Sequence, residues 1–401
     1  MALKSKLGFG MMRLPVKNGD PTDFDYAQLN EMVDTFLEAG FTYFDTSFVY
    51  HNGKSEEATR KAVVERHPRD SFTVATKFPT FILKEESQIE PIFAQQLENL
   101  GVDYIDYYLL HSIGGGGVEN LQKRFIGNGL LDFLLKEREA GRIRHLGFSY
   151  HGDVSAFDWL LDRHEQYHWD FVQIQMNYLD WRHAGRRGRR GGDADAEYLY
   201  GRLEKLGIQV VVMEPIRGGA LANVADEIRQ QLQAVRPDDS PATWGFRWVG
   251  SHPNILTTLS GMNRMEHLEE NVSTFSPLQP CTDAENELLA RIADQMAGFP
   301  TIGCTTCGYC MPCPYGVDIP SNFAFYNKAV NEKMLPLPEP TAAEYAERQE
   351  AFIKAYREAI PAEKRATTCI DCGQCLSKCP QQIRIPNQMS RIVELTRKRR
   401  K

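Results

Sequence analysis

The sequence predicts an α/β protein: a (β/α)8 TIM barrel followed by a small, mainly α-helical iron-sulfur domain. Eight short runs of β-branched and aromatic residues recur before residue 261, and amphipathic helical stretches separate them. Eight alternating units of this size favour a closed barrel over an open doubly wound sheet. The first run continues as GFGMMR, which lacks the GxGxxG turn of an open dinucleotide-binding sheet. Eight of the nine cysteines lie beyond residue 300, which indicates a separate metal-binding domain there.

The predicted strands follow one another at similar intervals along the chain. In order they are KLGFGM (6–11), TYFDT (42–46), FTVATK (72–77), IDYYLLH (105–111), IRHLGFS (143–149), FVQIQM (171–176), IQVVVME (208–214) and ILTTLS (255–260). Between the first two, apolar residues recur at helical spacing from Leu29 to Leu37, and Gly40 then suits a helix C-terminus. We therefore expect a barrel domain over residues 1–297 and a helical domain over residues 298–401.

Composition narrows the class of protein. The 401 residues are 42% hydrophobic and 25% charged, with a formal net charge of −7, as in ordinary globular proteins. This charge predicts no nucleic-acid partner. The N-terminal stretch is interrupted by Gly8, Gly10 and Arg13, and later apolar runs are too short to span a bilayer. We expect neither secretion nor membrane insertion, and a cytoplasmic location.

The cysteines form an internal repeat, CTTCGYCMPCPYGVDIP (304–320) and CIDCGQCLSKCPQQIRIP (369–386). Each run contains C-x2-C-x2-C followed by Cys-Pro. Three thiolates at this spacing can hold three corners of an iron-sulfur cube, and the fourth usually ligates the cube of the other repeat. The repeat therefore predicts two [4Fe-4S] clusters. Their predicted ligands are Cys304, Cys307, Cys310 and Cys379 for one cluster, and Cys369, Cys372, Cys375 and Cys313 for the other.

Zinc is the main alternative, because four-cysteine zinc sites also use CxxC pairs. Zinc normally takes two separated pairs, whereas four cysteines in one run, repeated and closed by Cys-Pro, fit cubanes better. The first run departs from the usual pattern, with two residues rather than three before Cys313. The insert between the runs is longer than a compact ferredoxin needs, and it resembles the helical ferredoxin domains appended to larger oxidoreductases.

Polar and reactive residues gather just past the C-terminal ends of the predicted strands. They are Asp45, Tyr50, Lys77, His111, Ser149, Gln173, Asn177, Glu214, Arg217 and Ser260. The βα loops of a barrel converge at this face and build its site there. Each residue alone has an ordinary structural explanation, and their shared position is what predicts a site.

Several sequence motifs resemble those of one known protein family. They are FDTSFVYHNGKSEEATRKAV (44–63), VATKFP (74–79), YYLLHS (107–112), GFSYH (147–151), QIQMNY (173–178), MEPIRGGAL (213–221) and SGMNRMEHLEEN (260–271). In this order they resemble the aldo-keto reductase superfamily, and the whole chain resembles its prokaryotic branch with a C-terminal ferredoxin-type domain. The resemblance implies a catalytic tetrad of Asp45, Tyr50, Lys77 and His111. Tyr50 would be the proton donor, Lys77 would stabilise its anion, Asp45 would hold that lysine charged, and His111 would orient the carbonyl.

The resemblance also implies a nicotinamide cofactor. Ser149 and Gln173 would bind the carboxamide, while the loop of Arg217, Gly218, Gly219 and Leu221 would approach the pyrophosphate. Glu270 and Asn271 would lie at the adenine. Where NADP-dependent relatives often carry basic residues, Arg264 is the only strong cation, so the choice between NAD and NADP stays open.

Three functions follow from this combination. The favoured one is an NAD(P)-dependent oxidoreductase that reduces a small carbonyl or oxidises an alcohol, with clusters that exchange electrons with a partner protein or sense redox state. The second is an electron-transfer module that uses the barrel as a docking platform. The third is a reductase whose clusters are purely structural. An arginine-rich insertion, WRHAGRRGRRGGDADAE (181–197), suits a solvated loop. Its alternatives are a docking surface for an acidic partner or a cap on the cofactor phosphates.

Overall fold

A computed structural model describes residues 6–185, 194–336 and 341–397. Within these residues, eight parallel strands close into a barrel in sequential order. The strands are Leu7–Gly10 (β1), Tyr43–Asp45 (β2), Thr73–Phe78 (β3), Ile105–Ile113 (β4), Ile143–Tyr150 (β5), Phe171–Gln175 (β6), Gln209–Met213 (β7) and Ile255–Ser260 (β8). The predicted (β/α)8 barrel is confirmed.

Helices connect the strands and continue into the C-terminal part of the chain. They are Tyr26–Glu38 (α1), Ser55–Thr59 (α2), Ile89–Leu100 (α3), Gly117–Leu121 (α4), Leu130–Glu139 (α5), Val154–Leu161 (α6), His164–Tyr167 (α7), Asp180–His183 (α8), Ala196–Lys205 (α9), Asp226–Gln233 (α10), Pro241–Gly250 (α11), Met265–Phe275 (α12), Asp283–Ala297 (α13), Ile319–Asn331 (α14), Ala342–Ala359 (α15) and Ile385–Thr396 (α16). Shorter 3-10 and π turns lie between some of them.

The strands are buried as expected for a parallel sheet covered by helices. All six residues of β3 are buried, and so are Val210, Val211 and Val212 of β7. Such strands pack on both faces, which favours near-continuous apolar runs. In α1 the Asp25 side chain accepts a hydrogen bond from the Gln28 amide and caps the helix N-terminus. The predicted apolar stripe of α1 is buried in the barrel, which explains how this segment packs.

The described residues form two compact units that interleave along the chain. The first comprises the described residues up to Arg182, with Ala194–Pro215 and Gly245–Asn286. The second comprises the described residues of His183–Asp193, Ile216–Trp244 and Glu287–Lys401. The two units alternate along the chain, whereas the sequence analysis expected one domain boundary at residue 298. That boundary stays a prediction.

The second unit has its own apolar core, built mainly by α14, α15 and α16. Phe323, Tyr326, Phe352, Tyr356 and Met389 are almost fully buried there. Both α14 and α16 carry a proline in the first turn, a position that leaves no helical hydrogen bond unmade. Most of the repeat cysteines lie partly buried against this core. The helical cysteine-rich domain predicted from the sequence is therefore confirmed.

Of the arginine-rich insertion, residues 186–193 lie outside the described residues, so its two interpretations stay predictions. In the part of the chain that the structure describes, no helix is both long enough and apolar enough to cross a membrane.

Candidate active site and cluster-binding sites

The four predicted catalytic residues come together at the C-terminal ends of three neighbouring strands. Asp45 ends β2, Lys77 lies near the end of β3, His111 lies in β4, and Tyr50 follows β2 in a short 3-10 turn. Lys77 Nζ donates hydrogen bonds to Asp45 Oδ1 at 2.6 Å and to the carbonyl oxygen of Thr46 at 2.7 Å. The barrel thus places this ion pair at the face where such folds build their sites.

The ion pair between Lys77 and Asp45 is almost completely removed from water. Lys77 is 1% exposed and Asp45 is 3% exposed. Burial raises the pKa of Asp45 and lowers the pKa of Lys77, and each partner opposes the shift of the other. Because an isolated buried charge is costly, the close contact is what allows both groups to stay charged.

Tyr50 lies beside this pair. Lys77 Nζ is 5.1 Å from the centre of the Tyr50 ring, and the rings of Tyr50 and His111 are 6.5 Å apart. Tyr50 is less buried than the other three residues. An ammonium this close favours negative charge on the phenol. The geometry therefore suits a proton donor next to a fixed cation.

His111 is a buried, neutral imidazole. Burial lowers its pKa well below the usual value, and the charges of Lys77, His151 and Arg124 lower it further. Ser47 Oγ lies 3.4 Å from His111 Nδ1. When the Ser47 hydroxyl donates to Nδ1, the ring proton sits on Nε2, which can then donate to a substrate oxygen.

Sequence reasoning missed several neighbours of this site. Ser47 lies two positions after Asp45, inside a motif already quoted, so only its individual role was overlooked. Phe81 packs its ring 5.7 Å from the His111 ring while 52% of its surface stays exposed. Burial, and then the charge of Lys77, lower the pKa of His151 to about 4. His151 ends the quoted motif GFSYH, so only its individual role was overlooked, whereas no spacing pattern pointed to Phe81 or Arg124.

Ser149 and Gln173, predicted to bind a carboxamide, are paired in register on β5 and β6. Both are buried, and Gln173 Oε1 has no hydrogen-bond partner among the described residues. Ser149 Oγ accepts a hydrogen bond from the Ser112 amide at 2.9 Å, which leaves its own proton to donate. A buried acceptor and a hydroxyl side by side fit a primary amide, the end group of a nicotinamide.

The three residues predicted near the adenine or its ribose lie around α12. Arg264 is exposed and directly precedes the helix, and Glu270 is partly exposed. Asn271 is buried, and its Nδ2 donates to Ser260 Oγ at 3.0 Å. Asn271 therefore has a structural partner in the barrel besides its predicted role.

The predicted pyrophosphate loop begins at Arg217, four residues after β7 ends at Met213, and it belongs to the second unit. Arg217, Gly218 and Gly219 all have positive φ angles. A β-carbon on Gly218 would overlap the carbonyl oxygen of Thr305, so only glycine allows this close approach. Arg217 is 4% exposed, and its Nη2 would lie 3.1 Å from a β-carbon on Gly303. The loop is thus packed against the first cysteine run.

Two cavities in the second unit are lined by the two predicted ligand sets. Cys304, Cys307, Cys310 and Cys379 line one of about 310 Å³, which includes space open to solvent. Burial raises the pKa of Cys310, and the nearby Cys307, Cys304 and Cys379 raise it further. The Thr306 amide donates to Cys304 Sγ at 3.3 Å, a contact typical of iron-sulfur sites. Four cysteines that line one cavity are the donor set that a four-iron cluster needs.

The other cavity, of about 440 Å³, is lined by Cys313, Cys369, Cys372 and Cys375, and Cys310 also borders it. Burial raises the pKa of Cys375 to about 11, and the charges of Cys369, Cys372 and Cys313 contribute. Cys313 therefore lies with the second run even though its spacing is one residue short. The two cavities bring together cysteines from both runs, and the ligand sets of the two clusters stay a prediction.

The sequence matches the profile of the "Aldo/keto reductase family" over residues 6–294. The chain belongs to this family. Residues 303–383 match a "4Fe-4S dicluster domain". This aldo/keto reductase is therefore an oxidoreductase that carries a dicluster domain after its barrel.

Known relatives are similar over most of the barrel. The uncharacterized oxidoreductase YqkF of Bacillus subtilis is 22% identical over 298 residues, covering 67% of this chain and 86% of YqkF. The NADH-specific methylglyoxal reductase of Escherichia coli is 24% identical over 330 residues, covering 73% and 95% respectively. An aldo-keto reductase from Klebsiella pneumoniae, solved in complex with NADPH, aligns with a TM-score of 0.57 at 20% identity, covering 73% and 96%. At this identity the solved structure supports the fold.

Proposed function

We propose that this aldo/keto reductase transfers hydride between NAD(P)H and a small carbonyl compound, and that its C-terminal domain holds two [4Fe-4S] clusters. The observation that carries the first part is the buried pair of Lys77 and Asp45 beside Tyr50, with neutral His111 across from the phenol. A buried ion pair beside a phenol and an imidazole, at the C-terminal ends of barrel strands, is the arrangement expected of a catalytic site.

Each of the four residues has a separate role at the substrate oxygen. A nicotinamide held by Ser149 and Gln173 would supply hydride for the carbonyl carbon. As negative charge grows on the oxygen, Tyr50 donates its phenolic proton, and the product leaves as an alcohol. Lys77 stabilises the charge left on the phenol, and Asp45 keeps Lys77 protonated. With the Ser47 hydroxyl donating to Nδ1, His111 would donate from Nε2 to the same oxygen.

The nucleotide would be held at its nicotinamide end by Ser149 and by the unpartnered oxygen of Gln173. The loop Arg217–Gly219 would approach the pyrophosphate, and Glu270 and Asn271 the adenine. Exposed Arg264 is the candidate partner of a 2′-phosphate. We propose that NADH or NADPH binds here, and that Arg264→Ala weakens NADPH selectively, because it removes the cation placed for the 2′-phosphate.

Each cluster would be held by one of the two cysteine sets that line the cavities. A bound cluster accepts or gives one electron at a time. The metal's positive charge would stabilise the thiolates, and it would oppose the burial that raises the pKa values of the Cys310 and Cys375 thiols. We propose that the clusters exchange electrons with a partner protein or sense redox state. A docking platform for electron transfer and purely structural clusters are the alternatives.

Anaerobic purification tests both parts of the proposal. We expect about eight irons per chain with matching sulfide, as two four-iron clusters require, and cluster signals in electron paramagnetic resonance. Titration should give NADH or NADPH affinity in the micromolar range or tighter, about −8 kcal/mol. Small aldehydes, ketones and quinones would then be screened with both cofactors. Stoichiometric zinc without iron would overturn the cluster assignment, and clusters without nucleotide binding would favour the docking platform.

A further inference from the structure

Arg124 lies beside the candidate active site in an unusual setting. It belongs to the π-helical turn Gln122–Ile126, which follows β4 and α4. Its Nη2 donates a hydrogen bond to Thr80 Oγ1, and Thr80 is 5% exposed. Thr80 follows the end of β3 and directly precedes Phe81, whose ring packs against His111. The guanidinium is thus attached to the same loop that lies against the catalytic imidazole.

Arg124 is partly buried, yet no carboxylate pairs with it among residues 6–185, 194–336 and 341–397. Two other arginines of the barrel do have such partners: Arg69 lies 2.6 Å from Asp106, and Arg247 lies 3.0 Å from Glu285. Burial lowers the pKa of Arg124, which means that its charge is poorly solvated. A desolvated cation without a counter-charge is costly, and a bound anion would offset that cost.

The side chain also has donors to offer. A guanidinium carries five N–H groups, and the contact with Thr80 uses one of them. The Phe125 ring lies 5.2 Å from its central carbon and covers part of it without accepting a full hydrogen bond. Its charge reaches His111, since it helps to lower the pKa of that imidazole. The planar fork can bind a carboxylate through two parallel hydrogen bonds.

We propose that Arg124 binds a carboxylate of the substrate, so that the preferred substrates are aldehydes or ketones that carry a carboxylate a few bonds from the carbonyl. This inference rests on the proposed carbonyl reduction and names its substrate class. Tyr50 and His111 act on the carbonyl oxygen, while Arg124 fixes the other end of the molecule. Arg124 is therefore a specificity-determining residue that takes no part in proton transfer.

A matched pair of substrates isolates this contribution. Para-formylbenzoate and para-formylbenzamide have the same shape and differ in charge. With the holoenzyme and saturating nucleotide, we expect the carboxylate to have a KM about tenfold to a hundredfold below that of the amide, the usual worth of a charged hydrogen bond. Arg124→Gln should remove this advantage by raising KM for the carboxylate, with kcat and the amide kinetics largely kept.

Lys123→Gln is the matched control, because Lys123 is the adjacent residue, is exposed, and loses the same unit of charge. It should leave both substrates unaffected. Arg124→Lys should keep part of the preference, since an ammonium retains the charge without the fork. Unchanged amide kinetics in Arg124→Gln would also show that the variant is folded.

A binding measurement separates the inference from the proposed function. Benzoate, which has no carbonyl to reduce, should bind the nucleotide complex of the native enzyme and bind Arg124→Gln at least tenfold more weakly, by calorimetry. If no carbonyl compound were reduced, the proposed reaction would be overturned, and the benzoate affinities would still decide whether Arg124 binds a carboxylate. Equal KM values for the two native-enzyme substrates, or equal benzoate affinity in the two proteins, would overturn the role of Arg124. A loss of nucleotide affinity in Arg124→Gln would also overturn it, because the anion would then belong to the cofactor.

Discussion

Replacing Lys77 with methionine removes the cation from a site that water hardly reaches. The Asp45 carboxylate, 3% exposed, would then lose its partner at 2.6 Å and keep its burial. Breaking a buried ion pair from one side typically costs about 3–5 kcal/mol, because the remaining charge is uncompensated. We expect a loss of this size in the free energy of unfolding of the barrel near pH 8, together with loss of carbonyl reduction.

The loss of stability in Lys77→Met should increase with pH. Burial already raises the pKa of Asp45 above its ordinary value of 3.8, and Lys77 opposes this shift. Without Lys77 the folded variant binds a proton more readily than its unfolded chain does. Stability then falls as pH rises through the window between 3.8 and the raised pKa, by up to about 1.4 kcal/mol per pH unit. The cost of Lys77→Met should therefore be smaller at pH 5 than at pH 8.

Denaturant unfolding followed by tryptophan fluorescence would measure this cost. All five tryptophans precede residue 250, so the signal reports on that part of the chain, and cluster absorbance follows the C-terminal domain separately. The double variant Asp45→Asn with Lys77→Met is the control, since it removes both charges and should recover part of the stability. A destabilisation that is equal at pH 5 and pH 8, or that the double variant fails to reduce, would refute the reasoning.

Three further outcomes are expected. Tyr50→Phe should lower carbonyl reduction by about 10²-fold to 10⁴-fold with nucleotide affinity and iron content unchanged, and full turnover in this variant would exclude Tyr50 as the proton donor. Burial holds the pKa of His111 well below its usual value, so His111 should not titrate near pH 6.5. Any inflection near pH 6.5 in the pH profile of kcat/KM of the native enzyme should therefore persist in His111→Gln. Cys379→Ser should abolish the signal of one cluster and Cys313→Ser that of the other; electron paramagnetic resonance would reveal a wrong grouping if both variants lost the same signal.

The barrel could be predicted because each strand is a local pattern. β3 and β7 are apolar runs of strand length between helical stretches, and parallel strands covered on both faces require this pattern. The grouping of Asp45, Lys77 and His111 followed from the same reasoning, since the strand ends of a closed barrel meet at one face. Local sequence patterns therefore predicted both the fold class and the face of the barrel that carries the candidate site.

The remaining features depend on contacts between distant loops. Arg124 is 44 residues from Thr80, and nothing near either residue in the sequence indicates their hydrogen bond. In the sequence, Gly218 is simply one of two adjacent glycines in a loop. Glycine is required there because the carbonyl oxygen of Thr305 would overlap a β-carbon. Such approaches are set by loop geometry, which single-sequence patterns do not encode. A lone arginine in a π-helical turn has the same appearance as a solvated one.

The interleaving of the two units has a consequence for any attempt to take this protein apart. Residues 216–244 precede the last barrel strand in the chain, yet they pack within the second unit: Asn331 Nδ2 donates to the carbonyl of Asn223 at 2.7 Å, and Lys333 pairs with Glu227 at 2.5 Å. A protease cut between residues 298 and 303 would sever the backbone while leaving these contacts in place. The two fragments should then co-purify, whereas a gene ended at residue 297 would yield a protein with an uncovered loop and poor solubility.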